Sequence, residues 1–393
     1  MPVVSPAIED GGVVVANGQI LQVGKFTELQ KGLNAIIREH PEHLLIPTLV
    51  NAHTHLELSL FAELGSATNG FSPAGDIISW VGKLIKLRKG LITAVDEEII
   101  AAEAAANALR NSGIGLIADI GNQAQGRNLA AEGLIENRFF LEFLGLSKQA
   151  EKDALYRLET TAEEIACTAH APHSTASGLI VELKNRARTR GGLFHIHVAE
   201  STPELEFLLT GRGPFREFLF GLGGWDGTFI PPGTGAVDYL DRLGVLDEKT
   251  LCVHCVHLSS KEIDLLAKRR AKVCLCPGSN RYLGVGKADL TEFIKRGLLP
   301  ALGTDSLASN QRLSIWREMA ILREDHPDVL PETIFRMATL AGAESLGCEQ
   351  ILGALAPGKK AAFLAVSCPE VQGKDLFAYL ASRKEDPSCY WIE

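Results

Sequence analysis

The sequence predicts an α/β fold: a (β/α)8 TIM barrel carrying a small β domain built from both chain ends. Three observations predict it. Short apolar runs of strand length alternate with longer helix-patterned stretches, the sign of βα units on a parallel sheet. Eight such runs fit between residues 45 and 350, and eight strands close a barrel. The two ends instead carry β-rich segments with turn signals. A chain of 393 residues suits this plan, since a barrel alone uses roughly 250.

Taken in order, residues 11–24 read GGVVVANGQILQVG, two β-rich runs around Asn17-Gly18, a strong hairpin signal. Residues 355–367, LAPGKKAAFLAVS, form a second short β unit with a Pro-Gly turn. Neither piece can bury a face alone. They are therefore expected to pair as one composite β domain, 1–44 with 351–393, around a barrel at 45–350. The barrel strands are expected at 45–52, 115–120, 139–144, 166–171, 193–198, 251–256, 272–276 and 299–303. Between them, 95–110 is an Ala- and Glu-rich helix stopped by Asn111-Ser112-Gly113. Thr202 reads as an N-cap with Pro203 at the first helical position. Ser259 with Glu262 makes a capping box. Residues 331–346 read as one helix ending at Gly347.

Composition narrows the function. Hydrophobic residues make up 46%, ample for a large core. A net charge of −9, spread along the chain, argues against a nucleic-acid or anionic-membrane partner. The N-terminus has no basic, then apolar, leader pattern, and no run of about 18 apolar residues is present, so neither a signal peptide nor a membrane span is expected. Eight cysteines without a secretion signal point to reduced thiols and a cytoplasmic location. Cys252 with Cys255, and Cys274 with Cys276, lie in strand-like apolar runs and read as small hydrophobes rather than metal ligands.

The chemistry-bearing residues gather at the C-terminal ends of the expected strands, which form the active face of a barrel. In Asn51-Ala52-His53-Thr54-His55 the alternation of a strand turns His53 and His55 the same way, a ready clamp for a metal ion. In His195-Ile196-His197-Val198-Ala199-Glu200, His197 lies nearer the strand end and is the favoured ligand, with His195 deeper as a hydrogen-bonded interior residue. Glu200 falls in the following turn, within reach of a substrate or as a helix N-terminal acid. His254 ends the sixth strand and His257 follows on its loop; Asp305 follows the eighth and can ligate an ion or accept a proton. The fourth strand brings His170 and His173 to the rim but no Lys to form a carbamate between two ions, so one ion is the economical reading. Each cluster alone is ordinary. Their joint placement is not something core packing asks for.

These motifs resemble the amidohydrolase superfamily, in its mononuclear aminohydrolase and chlorohydrolase-like branch. The likeness spans nearly the whole chain: NAHTHLE at 51–57, APHS at 171–174, HVAES at 197–201, HCVHLS at 254–259, CPGSN at 276–280, LGTDS at 302–306 and LAPGKKAAF at 355–363. The first β segment is shorter than the family pattern. The resemblance implies His53, His55, His197 and Asp305 as ligands of one divalent ion, usually zinc and in some relatives iron. It implies Glu200 and His254 as catalytic residues beside Asp305. Within the branch the chain is similar to the 6-aminodeoxyfutalosine deaminases of menaquinone biosynthesis. That likeness rests on His55-Leu56-Glu57, the Trp80 segment ending near Arg88, and Ser279-Asn280-Arg281.

The expected reaction is hydrolytic deamination of a 6-aminopurine nucleoside. Other adenosine derivatives, guanine or a triazine are the alternatives. A non-catalytic metal-binding barrel is the rival from another class, although decay should first remove the ligands and proton shuttle that are all present. For substrate binding, Glu57 is expected to accept from ribose hydroxyls and His173 to face the substrate. Trp80 reads equally as a cover over an aromatic base or as helix packing. Asn280 either bonds the ligand shell or ends the seventh strand. Arg281, with Arg88 as the second candidate, is the expected partner for a substrate carboxylate. The expected partner is thus a small molecule; a homo-oligomer is left open.

Overall fold

The computed structural model describes residues 1–31, 34–62, 77–90, 95–123, 135–368 and 375–392. Strands β1 (Gly11–Ala16) and β2 (Gln19–Lys25) form the antiparallel hairpin expected from their turn. Asn17 and Gly18 sit at φ 52° and 73°, the left-handed pair that a two-residue hairpin turn with the twist of its strands requires.

The two chain ends meet in a three-stranded antiparallel sheet. In it β12 (Phe363–Ser367) lies between β3 (His43–Pro47) and β13 (Cys389–Ile392). The hairpin is tied to the same region by the N–H of Ile20 donating to the carbonyl of Lys359 and the N–H of Gly358 donating to that of Ile20, both at 2.8 Å. Ile20, Leu355, Ala361 and Phe363 share a small core there, with Leu45 and Ile392 against it.

One expected strand, 45–52, is two strands in the structure. Pro47 has no N–H to carry a ladder forward, and the chain leaves the end sheet there and enters the barrel as β4 (Leu49–Thr54). The end sheet therefore takes in residues up to Pro47, and the expected boundary at 44/45 cuts through β3.

The barrel is built from two parallel four-stranded runs. The first is β4, β5 (Ile114–Gly121), β6 (Glu136–Phe143) and β7 (Ala166–Ala169). The second is β8 (Phe194–Val198), β9 (Thr250–His254), β10 (Lys272–Leu275) and β11 (Ala301–Leu302). The N–H of His197 reaches the carbonyl of His170 at 2.8 Å and joins the runs on one side. On the other, Thr54 bridges Asp305, and the amides of Thr304 and Asp305 both donate to His53 at 3.0 and 3.1 Å. The last strand is shorter than expected because this pairing begins just past it.

Side chains such as Val50, Leu116, Phe140, Val253 and Cys274 fill the lumen, while alternate residues such as Ile117, Leu141, Ile196 and Val273 pack under the helices. Cys252, Cys255, Cys274 and Cys276 are buried free thiols within these layers. The helix expected at 95–110 forms as Val95–Asn111, and the capping box of Ser259 and Glu262 is complete. Two helix details differ. The N-cap before Pro203 is Ser201, whose hydroxyl accepts from the N–H of Glu204, rather than Thr202. The stretch 331–346 is two helices, Pro331–Met337 and Leu340–Ser345. Between them the carbonyl of Ala338 turns out to accept the N–H of Val50 on β4 at 2.9 Å, which a continuous helix would not allow. No helix among the described residues is long and apolar enough to cross a membrane.

Candidate active site

Along β4 the pairing with β5 slips between Asn51 and Thr54. Such a slip re-aims side chains near a site. Val50 and Ala52 stay in the lumen, while His53 and His55 turn together at its mouth. The Nε2 atoms of His55 and His197 each lie 3.1 Å from Nε2 of His53. One proton on His53 Nε2 cannot serve both neighbours, so a shared cation is what satisfies three converging lone pairs. Burial, reinforced by the surrounding imidazoles, holds His53 and His197 well below their usual pKa, in the neutral form that binds metal. Asp305 Oδ1 stands 3.5 Å from His55 Nε2 and 3.9 Å from His53 Nε2. Three imidazoles and one carboxylate form a donor set that fits zinc or ferrous iron.

Ser279, from the Ser279-Asn280-Arg281 motif, and Ser309, which no motif marked, set the orientation of Asp305. The hydroxyls of Ser279 and Ser309 both donate to its Oδ2 at 2.6 Å, which leaves Oδ1 facing the histidines. Burial alone would raise the Asp305 pKa, but His55, His254 and these hydroxyls outweigh it and hold the carboxyl down. Gly303 fits the same seam: a Cβ on it would lie 2.8 Å from the carbonyl oxygen of His53 and 2.9 Å from the sulfur of Cys274.

His254 and Glu200 stand beside this cluster. His254 Nδ1 bonds Asn280 Oδ1 at 2.9 Å, and its Nε2 faces Glu200 Oε1 at 3.8 Å. Burial works against a charged His254, yet the carboxylates of Glu200 and Asp305 and the Asn280 carbonyl raise its pKa overall. Glu200 is raised as well, chiefly by burial and then by the negative charges of Asp305 and Glu204, with His254 opposing. His254 and Asp305 take φ of 70° and 57°, a left-handed backbone uncommon for non-glycine residues and found at strained functional positions. The turn carrying Glu200 is pinned by Glu204, which accepts the N–H groups of Ala199 and Glu200 at 2.9 and 2.8 Å.

The substrate-side residues divide. Glu57 comes to the mouth, but its carboxylate accepts from Arg88 at 3.0 Å and from the N–H of Asn122 at 2.8 Å. Asn122 was not anticipated; its side chain also accepts from Arg88 and donates to Glu142. His173 lies 3.7 Å from Glu204 and packs on Phe215. Trp80 donates its indole N–H to Ala308, on the loop after β11. Asn280 bonds His254, which stands beside the expected ligands and is not one of them. Arg281 is a correction. Its guanidinium is exposed and paired with Glu324 and Asp325, because the segment after β10 is the helix Pro277–Leu283, which turns Asn280 inward and Arg281 outward. Arg88, the second candidate, is the arginine at the mouth. His195 is interior but, among the described residues, not hydrogen-bonded: both ring nitrogens lack a partner there, the ring packs on Phe140, and burial lowers its pKa to about 3. His257 bonds the carbonyl of Val285 at 2.7 Å, a structural tie.

A (β/α)8 barrel whose mouth gathers imidazoles and a carboxylate able to hold a metal ion fits a class of hydrolase, and the family comparison agrees. The amidohydrolase family matches residues 44–385, and the chain belongs to it. Among curated relatives it is similar to the aminodeoxyfutalosine deaminase of Deinococcus radiodurans, 28% identical over 86% of this chain and 81% of that one. It is equally similar to the 5'-deoxyadenosine deaminase of Methanothermobacter thermautotrophicus, 28% identical over 90% and 80%. Among solved structures, that of Helicobacter pylori aminofutalosine deaminase in complex with methylthio-coformycin superposes with a TM-score of 0.80 at 26% identity, covering 97% of this chain and 93% of that one.

Proposed function

We propose that this protein is a metal-dependent aminohydrolase that replaces the 6-amino group of an adenine nucleoside by oxygen and releases ammonia. Its substrate in this reading is 6-aminodeoxyfutalosine, and its setting is cytoplasmic menaquinone biosynthesis. Residues 1–47 and 351–393 are read as a supporting β domain and 48–350 as the catalytic barrel. The observation that carries the reading is the placement of Glu200, His254 and Asp305 around the three-imidazole cluster, alongside deaminase relatives over most of the chain.

His53, His55, His197 and Asp305 would hold one ion, with zinc favoured and iron the alternative. A divalent ion there supplies Lewis acidity and brings the pKa of water toward neutrality. Asp305 Oδ1 takes a proton from the attacking water, since its other oxygen is committed to Ser279 and Ser309. Glu200, whose raised pKa favours its protonated form, donates to the ring nitrogen next to the attacked carbon. His254, held by Asn280, orients the water and stabilises the tetrahedral intermediate through Nε2. Asp305 then returns its proton to the amino group, and ammonia leaves. In this reading Glu57 meets the ribose hydroxyls, with Trp80 and His173 as walls.

A second reading stays within the same chemistry. Arg281 is committed at the surface, which removes one expected carboxylate partner and favours a nucleoside with an uncharged 5′ group, such as 5'-deoxyadenosine or methylthioadenosine. Ammonia release measured across 6-aminodeoxyfutalosine, 5'-deoxyadenosine, methylthioadenosine, S-adenosylhomocysteine, guanine and a triazine ranks these directly. Turnover of guanine or triazine, with none of any 6-aminopurine nucleoside, would overturn the proposal.

A further inference from the structure

A second group of ligand-type side chains stands beside the first. Glu142 on β6, His170 just beyond β7, and His197 on β8 offer three donor atoms that all lie within 4.8 Å of one another. They come from adjacent strands: Glu142 is in register with Thr168, and the His197 N–H is bonded to the His170 carbonyl. The deamination steps use neither Glu142 nor His170.

Both residues are oriented from behind in the way metal ligands are held by their outer partners. His170 Nδ1 lies 2.6 Å from the hydroxyl of Ser174. That hydroxyl donates to the carbonyl of Ala171, so it accepts from His170 Nδ1–H. The tautomer that follows keeps a free lone pair on Nε2. Asn122 Nδ2 donates to Glu142 Oε2 at 3.0 Å, which fixes that carboxylate and spares Oε1 as a donor.

We propose that Glu142 and His170, with His197 at their shared edge, form a second divalent-cation site, which zinc in excess fills and which then inhibits the enzyme. The proposal rests on the reading of His53, His55, His197 and Asp305 as the primary site. Order of filling follows from the shared histidine: the primary ion takes His197 with three further ligands, so the second ion keeps two residues and water and binds more weakly. Inhibition follows from position, since the His170 ring lies 5.9 Å from that of His173, which is read as facing the substrate.

The test is a zinc titration of metal-stripped protein by equilibrium dialysis, with bound zinc counted by elemental analysis. The expected result is one tight equivalent and a second, roughly tenfold or more weaker. Glu142→Gln and His170→Asn should each keep the tight equivalent and lose the weaker one. Two variants on different strands, checked by circular dichroism, separate ligand loss from misfolding. In parallel, excess zinc should raise KM in the wild type and leave it unchanged in Glu142→Gln. A single equivalent throughout the titration, or a second one that survives both substitutions, overturns the second site. Absence of the tight equivalent in the wild type overturns the primary site, and this proposal with it.

Discussion

Asp305 presents its two oxygens to different surroundings, hydroxyls on one side and imidazoles on the other, an asymmetry that suits the role of base proposed for it. Replacing Ser309 by Ala removes one of two donors to Oδ2 and should lower kcat about tenfold, less than the roughly hundredfold or more of losing a general base outright, with metal content held. Glu200→Gln should likewise keep its metal while turnover drops roughly a hundredfold or more; full activity in that variant would remove Glu200 as the acid. The paired histidines of β8 separate cleanly. His197→Ala should lose the metal on elemental analysis, whereas His195→Ala should retain it, since its ring packs on Phe140 away from the cluster.

Between elements, the seam of β4 and β11 is where a small change has the widest effect. A methyl group on Gly303 would press on the His53 carbonyl and Cys274. Gly303→Ala should cost about 1–3 kcal/mol of stability, as overpacking does, and weaken zinc binding, read by denaturant titration and dialysis. A second element-level device sits on the helix Ile315–Asp325. There Glu318 accepts from the N–H of Gly278 and from Asn310, next to Ser279 and Ser309 in the chain. Burial pushes its carboxyl up to about 7, from an ordinary 4.5. The folded chain then keeps a proton that the unfolded chain has released, so this group's contribution to stability falls as pH rises from about 4.5 to 7 and stays low above it. Glu318→Gln should flatten that part of the Tm-against-pH curve by a few degrees; an unchanged curve would show that Glu318 ionises freely in the fold.

For the molecule as a whole, an ion that binds only the folded chain adds stability by mass action. Chelation should lower Tm by several degrees and zinc should restore it in a concentration-dependent way; a Tm indifferent to chelator would count against a cation tying strands together. Much of this architecture was legible in the sequence because a barrel puts its chemistry at strand ends, where motifs such as His53-Thr54-His55 and Gly303-Thr304-Asp305 are short and local. The exchange of β3 for β4 was harder to see. Both halves of 45–52 are apolar, and only Pro47 marks the break. Arg281 misled because neighbours on a helix point about 100° apart, so Asn280 turns inward and Arg281 outward. Ser309 and Asn122 lay outside every motif, and Ser279 stood in one without a role of its own, since each acts only through a contact made in the fold.

The bridge from Thr54 to Asp305 joins positions 251 apart in the chain. During synthesis, His53 and His55 leave the ribosome long before their carboxylate partner exists, and β3 waits longer still for β12 to pair with it. The nascent chain therefore carries half of the expected chelator until the segment bearing Asp305, 251 residues beyond Thr54, has followed.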